Sequence, residues 1–122
     1  MPELKKYKMF INGEWVNSDT KKTFETLNPE NNKPWAVVPE ASASDVDRAV
    51  KAAQNAFEGE WPKLLPKERA RYLRMIGDKL RENAEHLGKI ETIDTGKLYR
   101  ETYKQANYCL LYTSDAADEE DS

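Results

Sequence analysis

The side chains best suited to chemistry cluster in one short segment, Thr92-Ile93-Asp94-Thr95-Gly96-Lys97. The segment ends a predicted helix with a carboxylate, two hydroxyls and a glycine. A structural interpretation is a helix C-terminus, with Gly96 in the left-handed conformation and Lys97 at the negative end of the helix dipole. Asp94 is unfavourable at that end, so its charge requires compensation by a cation or an arginine. Both interpretations stay open at this point.

The only histidine, His86, and the only cysteine, Cys109, do not form a recognisable catalytic or metal-binding pattern. A zinc site or a Cys–His pair would need both residues, and they lie in very different settings. We interpret His86 as a surface or boundary residue and Cys109 as a small apolar residue. A single cysteine forms no internal disulfide, and nothing else indicates an oxidising compartment, so we expect a cytoplasmic protein.

Nucleic-acid and membrane functions are disfavoured by charge and by hydropathy. The net charge is −3 with a pI near 5.3, and basic residues on the predicted second helix alternate with acids, which is typical of a solvated face. The scattered glycines form no phosphate-binding loop. Residues 1–10 are rich in lysine and do not resemble a secretory signal, and no run approaches the about 18 apolar residues of a membrane span.

Length and charge distribution set the expected domain organisation. The chain has 122 residues, 39% of them hydrophobic, which is about one domain and too little for a two-domain cofactor enzyme. The last eight residues contain five acids and no base, an acidic run of the kind that is usually disordered. We therefore separate a body, residues 1–108, from an acidic tail, residues 109–122.

Short strands are predicted in the first third of the chain. Asn12-Gly13 between two apolar runs predicts a tight hairpin over Met9–Val16, because a type I′ turn needs two positive φ angles. Thr23–Leu27 is β-branched and aromatic and ends before Asn28-Pro29. Trp35–Val38 lies between two prolines, which favours a short or edge strand.

Helices are predicted from residue 44 onward. Ser44 to Asp47 fits a capping box, and an apolar stripe at helical spacing follows it, ending near Gly59. Pro66 suits the first turn of a second helix, Asn83 marks a bend before a third, and residues 99–108 form a short fourth. The result is an α+β chain, a β-hairpin and short strands followed by three to four helices, whose long apolar stripes exceed what so small a sheet covers.

The order and separation of several motifs resemble one enzyme family. The motifs are Phe10–Val16, Phe24–Pro29, Asp45–Val50, Trp61, Glu68–Ala70, Glu91 and Asp94–Lys97. Together they resemble the amino-terminal part of the aldehyde dehydrogenase superfamily from about Lys8 to Tyr108. The details around Thr23–Pro29 and Asp94–Lys97 are similar to betaine-aldehyde dehydrogenases. No single motif carries this resemblance; their order does.

The resemblance implies NAD- or NADP-dependent oxidation of a small-molecule aldehyde to a carboxylic acid, by an α/β enzyme with a Rossmann-like sheet that forms a homo-oligomer. In the family a cysteine attacks the carbonyl, hydride leaves to the nicotinamide, and a glutamate-activated water hydrolyses the thioester. Those parts all come later in the family, so this chain has no catalytic and no cofactor-binding residues to assign, and Cys109 is not in the nucleophile's motif. We expect residues 1–108 to be the N-terminal part of the NAD(P)-binding domain, inactive alone.

The resemblance also implies a metal site for a monovalent cation, K⁺ or Na⁺. Some family members bind such an ion through a Thr-aliphatic pair at a strand end and the aspartate of the DTGK segment. In this sequence the matching residues are Thr26, Leu27 and Asp94. Ligation by oxygen alone with one net charge suits an alkali cation better than a transition metal.

Residues 109–122 depart from the family pattern, because the chain runs into the acidic tail where further aromatic residues are expected. We interpret this tail as foreign to the family, the product of a truncated or misassembled reading frame. An alternative for the whole chain is a non-enzymatic α+β interaction module that assembles through an apolar helix face.

Overall fold

The computed structural model describes residues 3–108, and the chain divides into two compact units, one up to Pro62 and one from Lys63 on. The first unit contains β1 (Lys5–Lys6), β2 (Met9–Ile11), β3 (Glu14–Val16), β4 (Thr23–Asn28), β5 (Lys33–Pro39) and α1 (Ala43–Glu58). The second contains α2 (Pro66–Glu82), α3 (Ala84–Thr95) and a further helix, α4, over residues 99–108. A short 3₁₀ helix, Trp61–Lys63, lies where the chain passes from one unit to the other. The predicted order of strands followed by helices is confirmed.

The predicted hairpin is confirmed and consists of β2 and β3. Asn12 has a φ of 53° and Gly13 a φ of 78°, the two positive angles that a type I′ turn requires. Phe10 pairs with Trp15 across the strands, and their ring centroids are 4.9 Å apart. Helix α1 packs against β2, where small alanines such as Ala49 leave room for the hairpin.

The other three strands form a sheet with the order β1-β5-β4. The prediction that the proline-flanked strand is short or lies at an edge is wrong, because β5 is central and has 7 residues. Strand β5 is central because neither of its prolines lies where β1 pairs: Lys5 and Lys6 pair in parallel only with Ala36 and Val37. Pro39 pairs with Thr23, the first residue of β4, and Pro34 lies next to an irregularity in the register. Strand β1 was not predicted, because two exposed lysines carry no apolar alternation.

Helix α1 begins two residues earlier than the sequence predicts. The cap is Ser42, whose hydroxyl accepts the Asp45 backbone N–H at 3.1 Å while the Ser42 N–H donates to the Asp45 carboxylate at 2.9 Å. Ser44 lies inside the first turn, and Asp47 pairs with Lys51 at the surface. The capping box is therefore Ser42–Asp45 rather than Ser44–Asp47.

Three helix ends in the second unit are confirmed. Helix α2 begins at Pro66, where the missing proline N–H costs no helical hydrogen bond. Asn83 separates α2 from α3, and its side-chain amide donates to the Lys79 carbonyl at 2.8 Å. Gly96 ends α3 with a φ of 74° and donates its N–H to the Thr92 carbonyl at 2.9 Å.

Helices α3 and α4 are held together by a small polar contact. The buried Thr102 hydroxyl lies 2.9 Å from both the Thr92 hydroxyl and the Gly88 carbonyl. Because Thr102 has one proton to donate, Thr92 donates to Thr102 and Thr102 donates to a carbonyl. A β-carbon at Gly88 would lie 3.0 Å from the Tyr103 nitrogen, so glycine lets the two helices approach without displacement of the α4 backbone.

Much apolar surface is not covered by any described residue. On the predicted stripe of α1, Val46 is 54% exposed, Val50 61% and Phe57 68%. The fully buried apolar residues among residues 3–108 are all alanines: Ala36, Ala70 and Ala84. The expected excess of apolar helix surface is confirmed. None of the helices in this part of the chain has the length and apolar content needed to cross a membrane.

The cap assignment predicts different effects at the two serines. Ser42→Ala should lower the free energy of unfolding by about 1 kcal/mol, because it leaves a first-turn N–H without its acceptor. Ser44→Ala is the matched control and should change stability by less than about 0.5 kcal/mol, because alanine is a good helix former. Urea unfolding of the 122-residue chain followed by circular dichroism measures both. A larger loss for Ser44→Ala than for Ser42→Ala would contradict the assignment.

Candidate functional site

The segment around Asp94 is a well-formed helix C-terminus. Asp94 lies exposed in the last turn of α3, and the Thr95 hydroxyl donates to the Glu91 carbonyl at 2.7 Å. The Lys97 ammonium lies 3.3 Å from the Glu91 carboxylate, so its charge is directed to Glu91. The structural interpretation of this segment as a helix C-terminus is therefore confirmed, and the ligand role of Asp94 stays a prediction.

The Thr26-Leu27 pair lies at an irregularity of the β4–β5 ladder. Thr26 pairs with Ala36, the register then shifts, and Leu27 pairs with Pro34. Pro34 has no N–H and can donate no hydrogen bond to a β4 carbonyl. A register shift of this kind locally disrupts the ladder and re-aims backbone groups. The use of this pair as cation ligands stays a prediction.

The structure places the two halves of the predicted cation site in separate units. Thr26 and Leu27 belong to the first unit and Asp94 belongs to the second. Their donor atoms, a hydroxyl, carbonyls and a carboxylate, are the hard oxygen ligands that alkali cations take. Residues 3–108 contain no group of three or more His, Cys, Asp or Glu side chains arranged for a metal ion. The joint site of Thr26, Leu27 and Asp94 stays a prediction.

The strongest electrostatic feature of the described chain is Asp45, which the sequence analysis did not single out beyond its place in the first turn. Its carboxylate is buried and accepts hydrogen bonds from the Ser42 N–H at 2.9 Å, the Ser18 hydroxyl at 2.8 Å and the Asp19 N–H at 3.2 Å. The Arg48 guanidinium also binds it. The backbone hydrogen bond from Ser42, with those from Ser18 and Arg48, holds the pKa of Asp45 well below its ordinary range despite burial.

The contacts of this cluster are structural. The carboxylate joins the loop after β3 to the start of α1, because Ser18 and Asp19 donate to it from the loop and Ser42 donates to it from the helix cap. The spacing Ser42-x-x-Asp45 was visible in the sequence, but Ser18 lies 27 residues from Asp45 and carries no local signal.

Of the two remaining candidate residues, the structure describes only His86. His86 is exposed on α3. Cys109 lies outside the described residues, as does the whole segment 109–122. The interpretation of Cys109 and of the tail therefore stays a prediction.

The amino-acid sequence is similar to those of known aldehyde dehydrogenases. A family model, "Aldehyde dehydrogenase family", matches residues 15–122. An aldehyde dehydrogenase family 2 member C4 of Arabidopsis thaliana is 42% identical over 101 residues, covering 82% of this chain and 20% of the relative. An aldehyde dehydrogenase of Aspergillus niger is 43% identical over 113 residues, covering 90% of the chain and 23% of the relative.

Solved structures agree with the sequence matches. An NAD-dependent aldehyde dehydrogenase from Sinorhizobium meliloti superposes with a TM-score of 0.89 at 30% identity, covering 96% of this chain and 24% of that one. A betaine aldehyde dehydrogenase from Staphylococcus aureus, solved in complex with NAD⁺, superposes with a TM-score of 0.84 at 37% identity. The match covers 91% of this chain and 23% of that one. The chain thus spans about a fifth to a quarter of the length of these proteins. The matched range of the family model includes residues 109–122, and a boundary at residue 108 stays a prediction.

The depressed pKa of Asp45 predicts a pH-dependent contribution to stability. A carboxyl group whose folded pKa lies below its ordinary value of 3.8 stabilises the fold above that pH, and the contribution is lost as the pH falls below it. Asp45→Asn should therefore lower Tm at neutral pH, and the difference from the unsubstituted chain should shrink on acidification below 3.8. Thermal unfolding between neutral and acidic pH measures this.

Asp47→Asn is the control, because Asp47 is exposed and forms a surface ion pair with Lys51. At neutral pH it should cost less than about 1 kcal/mol, because an exposed ion pair contributes little to stability. Equal Tm values for Asp45→Asn and the unsubstituted chain at neutral pH would contradict the role given to Asp45.

Proposed function

The chain belongs to the aldehyde dehydrogenase family, and we propose that it functions as part of an NAD(P)-dependent dehydrogenase that oxidises an aldehyde to a carboxylic acid. The observation that carries this proposal is the superposition of 96% of the chain on an NAD-dependent aldehyde dehydrogenase. The likeness to an enzyme solved with NAD⁺ supports the nicotinamide cofactor, NAD or NADP.

In this proposal the chain supplies architecture rather than reacting groups. The nicotinamide cofactor accepts the hydride when it is bound, and no residue among 3–108 is assigned to it or to the aldehyde. Residues 1–108 form the N-terminal part of the NAD(P)-binding domain, which includes a Rossmann-like sheet. The exposed Val46, Val50 and Phe57 of α1 support this, because they need apolar contacts that the described residues do not provide.

Thr26, Leu27 and Asp94 hold a monovalent cation, K⁺ or Na⁺, in the complete enzyme. The oxygen-only donor set supports this, as does Pro34, which can donate no hydrogen bond to β4 beside Leu27. A bound cation also compensates a carboxylate at the negative end of α3. We propose further a homo-oligomer and a cytoplasmic location, the latter supported by a single cysteine.

A chimera tests the proposed function. Residues 8–108 of this chain replace the matched segment of the S. aureus betaine aldehyde dehydrogenase, to which the chain is 37% identical. The chimera should reduce NAD⁺ in the presence of betaine aldehyde, because the two segments share a fold and the scaffold retains the reacting groups. Spectrophotometric detection of NADH measures the activity.

Two controls accompany the chimera. The 122-residue chain alone should show no NADH formation, and the scaffold without the segment should be inactive. A chimera that is soluble and folded yet inactive would refute the proposal that this segment serves an aldehyde dehydrogenase. NADH formation by the isolated chain would contradict the proposal that the reacting groups lie outside it.

The cation site predicts a loss of potassium-dependent stability. In the active chimera, Asp94→Ala should abolish the rise in Tm that KCl produces over an equal concentration of tetramethylammonium chloride. Asp78→Ala removes an exposed carboxylate of α2 and should leave that rise intact. An unchanged potassium effect in Asp94→Ala would remove Asp94 from the site.

A further inference from the structure

The second unit contains a basic and aromatic cleft that neither the proposed reaction nor the proposed cation site uses. Its volume is about 480 Å³, within the range of small-molecule sites. One face of α4 and the end of α2 line it with three cations and three tyrosines: Arg81, Arg100, Lys104, Tyr99, Tyr103 and Tyr108. We call this surface the tyrosine–arginine cleft.

Residues 3–108 neutralise few of the charges of the cleft. Among these residues no acidic side chain lines it, and neither Arg100 nor Lys104 has an ion pair with another described residue. The Arg81 guanidinium lies 3.9 Å from the Asp78 carboxylate, a distant ion pair. A concave surface with three cations and no carboxylate in its wall attracts an anion.

The walls of the cleft are aromatic. The rings of Tyr99 and Tyr103 lie 5.9 Å apart at an interplanar angle of 44°, and the two side chains are 38% and 41% exposed. Both rings are therefore partly exposed, and contacts between aromatic rings add to the free energy of burial. Charge and ring contact together favour a ligand that carries both an anionic group and an aromatic ring.

The cleft is held in place by the packing of α4 on α3. Thr102, on the opposite side of α4 from the solvent, is fully buried and hydrogen-bonds to the Gly88 carbonyl. The backbone of Tyr103 lies against Gly88 so closely that a β-carbon there would be 3.1 Å from the Tyr103 Cα. The side chains of the cleft therefore project from a fixed helix, which lowers the entropic cost of binding.

We propose that the tyrosine–arginine cleft binds an aromatic phosphate monoester. The phosphate lies between Arg100 and Lys104, with Arg81 contributing at the α2 side, and the ring lies against Tyr99 and Tyr103. A guanidinium and an ammonium one helical turn apart suit a dianionic phosphate better than a single carboxylate.

Titration calorimetry of the 122-residue chain with naphthyl phosphate tests the proposal, and naphthol and inorganic phosphate serve as half-ligands. Naphthyl phosphate should bind more tightly than either half-ligand. The double variant Arg100→Gln with Lys104→Gln should weaken its binding by about tenfold or more, because two charge-assisted contacts are lost. Tyr103→Leu should weaken naphthyl phosphate but leave inorganic phosphate unchanged.

The matched control is Lys67→Gln with Arg71→Gln, which removes the same charge from exposed positions of α2 that do not line the cleft. This variant should bind naphthyl phosphate as the unsubstituted chain does. The substituted residues are exposed, and circular dichroism confirms that helix content is retained. Absence of naphthyl phosphate binding, equal losses in both double variants, or equal affinity for naphthyl and inorganic phosphate would each overturn the proposal.

Discussion

Apolar side chains without cover are the constraint on which the rest of this structure depends. The hydrophobic effect is the main source of folding free energy, and it requires that apolar surface leave water. Val50 and Phe57 of helix α1 are mostly exposed, and so is Trp15 of the hairpin. Neither unit builds a core of large side chains from the described residues. This pattern supports the proposal that the segment packs within the larger body of an aldehyde dehydrogenase.

Because the cores are small, local polar contacts hold much of each unit together. In the first unit, the Asp45 carboxylate joins Ser18 to the cap of α1. In the second, Thr102 joins α4 to α3 at Gly88. Both groups are buried with hydrogen-bond partners, and removal of a partner from a buried polar group costs more than the bond itself contributes. These two contacts therefore hold the loop against α1 and α4 against α3, where little hydrophobic burial does so.

The features predicted correctly from sequence are those that a few neighbouring residues decide. Asn12-Gly13, Asn83 and Gly96 each act through their own backbone angles or adjacent hydrogen bonds. The features missed depend on distant partners. The central place of β5 follows from its pairing with β1, and the choice of Ser42 over Ser44 as cap follows from an Asp45 that also binds Ser18. The cation site is a proposal whose residues belong to both units, so no local pattern predicts it, and only the family resemblance connects Thr26 and Leu27 with Asp94.

The claim that this chain requires further apolar contacts is tested most directly by its behaviour in isolation. Analytical ultracentrifugation over a range of concentrations, with fluorescence of a dye that binds apolar surface, measures it. The account predicts self-association or strong dye binding by the 122-residue chain, and loss of both when the same segment is embedded in a full-length dehydrogenase. A monomer that unfolds cooperatively and binds no dye would contradict it and would favour an independent module.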